Sequence, residues 1–298
     1  MDDEEDLRMS WSFCVDSHQL IAERASDLSG NESLYNLTWS ALKKSKEGQS
    51  SSSPYQFLIF REAEVTTSHA VYHEDTHHLL ISLMSELEAI ALIDFLEFHS
   101  LKIDELEGPK SAVRSAFDHW EKGEGRSYQI VLTQGVYEIT RVLIPDSRQG
   151  YMISALPEHR ALLSQWLTSF SLEAFPHLSL QGEQIEGRTD RFLNEKRAYF
   201  WCSSENELVS MASVVRESPN TSSISAVYTP PNYRGQGYAG RLVAHLSQHA
   251  LDSGKTACNL HTDMSNPISN KVYARIGYRL IGEAMRYTLI SEATQTHV

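Results

Sequence analysis

The sequence predicts an α/β protein made of two α/β halves, on three observations. Its 298 residues make two domains the first expectation. The second half reads β-α-α-β-β-β-α-β-α-β, and the first half alternates similarly. Within the second half an apolar run, Ile224 to Tyr228, leads through a Gly-rich stretch into Leu242, Val243, Leu246, Ala250 and Leu251 at helical spacing.

In the first half, residues 1–10 read as an acidic tail. Asp16 or Ser17 is placed to cap a helix carrying Leu20, Ile21, Ala25 and Leu28, with Gly30 as its stop. Leu34, Leu37, Ala41 and Leu42 mark a second helix, and a polar loop over 46–53 ends at Pro54. Tyr55 to Phe60 predicts a strand, the β-branched stretches from Val65 to Tyr72 a second, and Leu79 to Ser82 a third. Leu87, Ile90, Ala91, Ile93, Phe95 and Leu96 define an apolar helix. Gly108-Pro109 predicts a break, and Val113, Ala116, Phe117 and Trp120 an amphipathic helix stopped at Gly123. Ile130 to Leu132 and Val136 to Ile144 read as a hairpin around Gln134-Gly135. The expected domain boundary is Pro145 to Gly150, giving domains of 1–147 and 148–298.

After the boundary, Tyr151 to Ile153 starts a strand and Pro157 opens a helix with Leu162, Leu163, Trp166, Leu167 and Phe170. A polar stretch with Gly182 and Gly187 leads to a shorter helix around Asp190 to Arg197. Tyr199 to Cys202 and Leu208 to Val215 pair as a hairpin, and Pro219-Asn220 turns into the central strand. Thr256 to Leu260 is the next strand, then comes a short helix, then Tyr278 to Leu289 in strand form.

Composition narrows the function. A net charge of −13 argues against nucleic acid as the main partner; it suits a cationic amine substrate, and solubility explains it equally well. Three widely spaced cysteines, Cys14, Cys202 and Cys258, suggest a reducing compartment with neither a disulfide framework nor a zinc site. No apolar run approaches the length of a membrane span, and the acidic opening Met1 to Asp6 is unlike a targeting signal, so a cytoplasmic protein is expected.

The Gly-rich stretch Arg234-Gly235-Gln236-Gly237-Tyr238-Ala239-Gly240 begins a helix. Glycines there allow positive φ and close approach, and a helix N-terminus offers free N–H groups to an anion such as phosphate. Gly235-x-Gly237-x-x-Gly240 has dinucleotide-fingerprint spacing, but Thr229 to Arg234 intervene after the strand and fewer than about 60 residues remain for the rest of such a fold. A P-loop would need Lys-Ser/Thr where Arg241-Leu242 stand. The stretch resembles the Gln/Arg-x-x-Gly-x-Gly/Ala CoA loop of the GNAT N-acetyltransferase superfamily, preceded as in that family by Pro-x-Tyr at 231–233. Asn266 to Tyr278 resembles the family's Asn-x-x-Ala/Ser-x-x-x-Tyr-x-x-x-Gly-Phe/Tyr segment, with Asn266 and Pro267 suited to open a helix and Gly277 to stop it. The resemblance is firm over 151–290. It is loose over the first half, which reads as a degenerate copy of the fold or as an unrelated α+β domain.

The resemblance implies a mixed, splayed, mostly antiparallel sheet flanked by helices, with pantetheine lying in the splay like an added strand. It implies acetyl-CoA as co-substrate, no metal, and a small-molecule amine, amino acid or peptide as acceptor. The backbones of Val227 and Thr229 would bond pantetheine. The N–H groups from Gly235 through Gln236, Gly237, Tyr238 and Ala239 to Gly240 would cradle the pyrophosphate, with Arg234 nearby. Asn266 would hold pantetheine from the other side, and Tyr273 would protonate the departing thiolate. A CoA-binding sensor without turnover is the rival reading.

No residue declares itself as the base. Glu173 is a candidate only by position, and Tyr228 faces either acceptor or core. His73, His77 and His78 suggest a polar turn rather than a metal site, and His245 and His249 a solvated helix face. In the first half, Tyr72 to Thr76 stands where a phosphate loop would follow a strand. No glycine lies between Gly48 and Gly108, and Glu74 and Asp75 would repel phosphate, so one CoA per chain is expected.

Overall fold

The computed structural model describes residues 9–47, 53–124, 128–144, 150–175 and 180–289. The acidic tail up to residue 8, loop residues 48–52 and boundary residues 145–149 lie outside the described residues. The chain forms two compact units, residues 1–135 with 282–298, and residues 136–281.

In chain order, strand β1 (Met9–Phe13) is followed by helices α1 (Ser17–Glu23), α2 (Ala25–Gly30) and α3 (Asn36–Glu47). Next come β2 (Tyr55–Glu62), β3 (Val65–His73), β4 (His78–Ile81), α4 (Glu86–Phe98), β5 (Glu105–Pro109), α5 (Lys110–Glu124) and β6 (Tyr128–Ile139). Then follow β7 (Tyr151–Ser154), α6 (Arg160–Ala174), α7 (Glu183–Asn194), β8 (Ala198–Cys202), β9 (Leu208–Glu217) and β10 (Thr221–Tyr228). Helix α8 (Tyr238–Asp252), β11 (Ala257–Asp263), α9 (Pro267–Ile276) and β12 (Arg279–Leu289) complete the chain. From β7 onward this is the element order read from the sequence.

The sheet of the first unit runs β1-β2-β3-β4-β5-β12. Its strands are antiparallel except for the parallel pair β4–β5. Strand alternation separates two cores. Leu58, Phe60, Ala70 and Tyr72 pack on α4 and α5, while Phe57, Ile59 and Val71 pack against Leu20, Leu28 and Leu42 of α1–α3. Residues 282–289 belong to this unit because β12 pairs with β5 from Ala284↔Pro109 to Thr288↔Glu105. There Tyr287 stacks on Phe117 at 3.8 Å.

Four expectations for the first half change. Asp16 caps α1 by accepting from the N–H groups of His18 and Gln19, but the helix breaks at Arg24. That side chain turns inward to donate to the Thr66 carbonyl at 2.8 Å. Gly108-Pro109 ends β5 instead of breaking the chain, because the glycine lets the strand lie against Ile81, whose carbonyl oxygen would be 2.5 Å from an added Cβ. Gln134-Gly135 lies inside the single strand β6 and makes no hairpin. Residues 73–78 form the polar turn expected there, a hairpin closed by His73↔His78 between β3 and β4, so Tyr72 to Thr76 does not stand between a strand and a helix. The counterpart of a strand-to-helix phosphate loop is therefore Ser82 to Ser85, between β4 and α4.

The three histidines of that hairpin region go to separate partners. His77 Nδ1 lies 2.8 Å from Asp104 and His78 Nε2 3.3 Å from Glu107, while the His73 ring packs edge-on against Tyr55. Among the described residues no group of three or more His, Cys, Asp or Glu side chains is arranged to hold a metal ion. None of the described helices is long and apolar enough to cross a membrane.

The second unit carries the sheet β11-β10-β9-β8-β7, antiparallel except for β10–β11. Trp201, Val209, Ile224, Cys258 and Leu260 pack with Leu242, Val243 and Leu246 of α8 on one face, joined by Tyr137 and Ile139 of β6. Phe200, Met211, Ala226 and Tyr228 pack with Leu163, Trp166 and Leu167 of α6 and Phe192 of α7 on the other. The polar stretch ahead of α7 ends earlier than the sequence suggests, since Gly187 lies within the helix. His245 does not lie on a solvated face: its ring is half-buried against Trp201, and burial lowers its pKa.

His69 on β3 is fully buried, edge-on to the Tyr35 ring at 5.0 Å and with Nε2 3.4 Å from the Thr38 hydroxyl. Burial, helped by the nearby Arg24 cation, pushes its pKa down to about 3. The unfolded chain takes up a proton there from about pH 6.5 downward while the folded one does not, so stability is lost as pH falls from about 6.5 toward 3. We expect urea denaturation to report a loss approaching ~1.4 kcal/mol per pH unit in that window beyond the carboxylate contribution. The loss should shrink in His69→Gln; equal slopes for both proteins would refute this origin.

Candidate active site

The site grows from a fault in the sheet. Parallel pairing of β10 with β11 covers Thr221↔Ala257, Ser222↔Cys258 and Ser223↔Asn259, although β10 continues to Tyr228 and β11 to Asp263. On its other edge β10 is bulged, with register shifts against β9 after Ser223 and after Ser225. Ala226, within the second bulge, has φ +52°, a left-handed conformation that is costly for a residue with a Cβ. Val227 follows it, half-buried beside the α8 core. The two strands thus part over their C-terminal ends.

Pro231–Tyr233 makes a single 3-10 turn, and the chain then enters α8 through the Gly-rich loop. Gly235 and Gly237 both have φ +78°, which a side chain would strain. Gly237 is the N-cap of α8 and supplies no side-chain cap, and no acidic residue lies in the first turn. The N–H groups at this terminus and the positive end of the helix dipole therefore face outward without a side-chain acceptor. Gln236 accepts from the Tyr238 hydroxyl at 3.0 Å through its side chain and from Arg241 Nη1 at 2.6 Å through its backbone carbonyl. Ala239 is half-buried. Gly240 is buried where a Cβ would come within 3.3 Å of Val272 on α9, so it also lets the two helices approach.

Asn266 caps α9, its carboxamide oxygen accepting from Ser269 N–H at 3.1 Å, and Gly277 ends the helix at φ +109°. Tyr273 on this helix is buried in the α8-side core, with Tyr278 at 6.0 Å between ring centroids. Burial raises its pKa to about 12, so the phenol keeps its proton across the neutral range.

On the α6 side a polar cluster closes the end of β10. Arg234 donates to both carboxylate oxygens of Glu173, at 3.0 and 2.7 Å, and through Nε to the Thr229 carbonyl at 2.8 Å. Its guanidinium carbon sits 5.7 Å from the Tyr228 ring centroid, and the Tyr228 hydroxyl is 3.5 Å from Glu173. The Ser210 hydroxyl reaches the Tyr228 carbonyl at 3.0 Å and the Thr229 hydroxyl at 2.9 Å. Arg234 is thus engaged away from the glycines, and the Thr229 carbonyl already has one donor.

Two residues here carry more than the sequence reading gave them. Arg241, read only as a departure from the P-loop pattern, folds back so that a Cβ on Gly237 would lie 3.2 Å from its Nη1. Glu173, named only by position, is the hub of the α6-side cluster. Both had a local signal: a cation in the first turn and an anion in the last turn of a helix each oppose the dipole.

A parted parallel strand pair beside an open, glycine-lined helix N-terminus suits a ligand with an amide-bearing arm and a phosphate group. Residues 161–278 match the sequence model of the Acetyltransferase (GNAT) family, a class that transfers acyl groups. A solved Drosophila protein superposes with a TM-score of 0.64 at 14% identity, covering 94% of this chain and 98% of its own. A GCN5-related N-acetyltransferase from Sphaerobacter thermophilus gives 0.59 at 14% identity, covering 94% and 95%. A GNAT-family acetyltransferase from Colwellia psychrerythraea gives 0.53 at 11%, covering 95% and 100%. At such identities the likeness is one of fold, and it extends over both units. No curated protein sequence matches the chain.

The loop geometry yields a direct test. Gly237→Glu puts a side chain on a left-handed residue and a carboxylate at the anion-facing terminus. We expect calorimetry to show acetyl-CoA affinity falling by more than ~100-fold while the circular dichroism spectrum is kept. Unchanged affinity would remove the loop from the binding site.

Proposed function

We propose that the protein is a cytosolic N-acetyltransferase that moves the acetyl group of acetyl-CoA to an amine by direct attack. The observation that carries this reading is the uncapped, glycine-lined start of α8 at the open end of the β10–β11 pair. In this reading pantetheine lies between the parted strands against the backbone of Val227 and Thr229, with Asn266 across from them. The N–H groups from Gly235 to Gly240 hold the pyrophosphate, with charge support from Arg241 rather than Arg234. The unprotonated amine attacks the thioester carbonyl, the C–S bond breaks, the thiolate takes the phenolic proton of Tyr273, and the proton shed by the acylated nitrogen passes to water, from which the tyrosinate is reprotonated. A phenol near pKa 12 is protonated when that transfer is required. Tyr273→Phe should lower kcat by ~100-fold or more with acetyl-CoA affinity kept, as single-turnover kinetics and calorimetry would report. Retained kcat would take the acid role from this residue.

We read the first unit as a degenerate copy of the same fold, on its shared element order. At the counterpart position, α4 is closed where α8 is open. Ser85 accepts from Glu88 N–H, the Glu88 carboxylate accepts from Ser85 N–H at 2.6 Å, and Glu86 adds a second anion in the first turn. Phosphate would have to displace this capping box against two carboxylates. Titration of the full chain should therefore give one acetyl-CoA per chain and no heat with NAD; two per chain would contradict the closed first unit. Acetyl-CoA binding without thiol release from any amine in a broad panel would identify a sensor instead.

A further inference from the structure

The α6-side cluster has the composition of a cation site, and its present occupant is the protein's own. The Glu173 carboxylate holds the Arg234 guanidinium through both oxygens, and the Tyr228 ring flanks the same cation. Tyr228 belongs to the core on the α6 face of the sheet, whereas Tyr273 belongs to the core on the α8 face. The strands part between these two faces, so a molecule on the α6 side would meet the reacting carbonyl from the side opposite Tyr273. Resting on the acetyltransferase reading, we propose that Glu173 and Tyr228 form a subsite for a second positive charge on the acceptor, occupied in the free protein by Arg234 as a place-holder.

Three features support this assignment. Glu173 and Arg234 are each about half exposed, 50% and 47%, so their pair is weak and open to exchange with a cation from solution. The group held there is not the amine to be acetylated, because a carboxylate stabilises the protonated ammonium and the nucleophile must be unprotonated. The protein's net charge of −13 favours the arrival of a polycation. The substrate class is therefore amines with a further cationic group: diamines, guanidino-amines or basic peptides. Departure of Arg234 also frees the Thr229 carbonyl of its Nε donor, so acceptor and pantetheine both compete with one side chain.

The test compares agmatine, a primary amine with a guanidinium, against butylamine, which has the amine alone. Each is titrated by calorimetry into the full chain saturated with CoA. Agmatine should bind at least ~10-fold more tightly than butylamine. Glu173→Gln should abolish that preference while acetyl-CoA binding persists, and Arg234→Ala should tighten agmatine binding several-fold. Equal binding of the two amines, a preference that survives Glu173→Gln, or weaker agmatine binding in Arg234→Ala would each overturn the proposal. The acetyltransferase reading is tested separately, on the same protein before any CoA is added, by acetyl-CoA binding and thiol release, so either can fail alone.

Discussion

Everything at the site depends on a parallel strand pair that stops early. Backbone N–H and C=O groups seek partners, and a parallel pair normally supplies them along its length. Here the β10–β11 pairing covers only Thr221–Ser223 against Ala257–Asn259. The bulge at Ala226 then sets the course of β10 against β9 before Val227. An extended ligand with its own amides can answer such a gap, because main-chain bonds give affinity whatever the side chains are. The parting also gives the unit two chemically distinct approaches. One face carries α8 and the buried phenol of Tyr273, the other α6 and the charged cluster around Glu173.

The two halves show how little chemistry separates an open helix terminus from a closed one. After β4 the chain reads Ser82-Leu83-Met84-Ser85, and Ser85 with Glu88 satisfies the first N–H groups of α4 internally. After β10 it reads through two left-handed glycines, and the N–H groups of α8 receive no side-chain cap. A capping box stabilises its own helix and needs nothing from outside. An uncapped N-terminus leaves donors that water or an anion must satisfy. The same place in the same order of elements is thus a joint in one half and a candidate binding loop in the other.

The element order of the second half was legible because apolar residues there recur at helical or strand periods and the breaks between them carry Pro, Gly or Asn. The misreadings share a cause. Gly108 and Gly135 look like punctuation in the sequence, yet both lie within strands. At Gly108 what the chain needs is the absence of a side chain against Ile81, a contact made across the sheet and invisible to local pattern. The membership of β12 was hidden likewise, since its pairing with β5 joins residues more than 170 positions apart. At the candidate site, the placing of the glycines at the start of α8 and of Tyr273 on α9 was legible from the two motifs. The binding of Arg234 to Glu173 was not, because the partners lie 61 residues apart and meet only when α6 lies beside the end of β10.

What the local pattern did contain was a set of small violations, and they gather at one place. Arg241 puts positive charge in the first turn of α8, and Glu173 puts negative charge in the last turn of α6, each against the dipole of its own helix. Ala226 holds a left-handed conformation in a buried strand, at a cost on the order of 1 kcal/mol. Each feature lowers the stability of its own element and is easily removed by a single substitution. Their meeting around the end of β10 accords with a general rule: sequences depart from local consistency where a site must be built. In the protein itself these charges are met locally, Arg241 donating to the Gln236 carbonyl and Glu173 accepting from Arg234, each across a loop or between elements and not along its own helix.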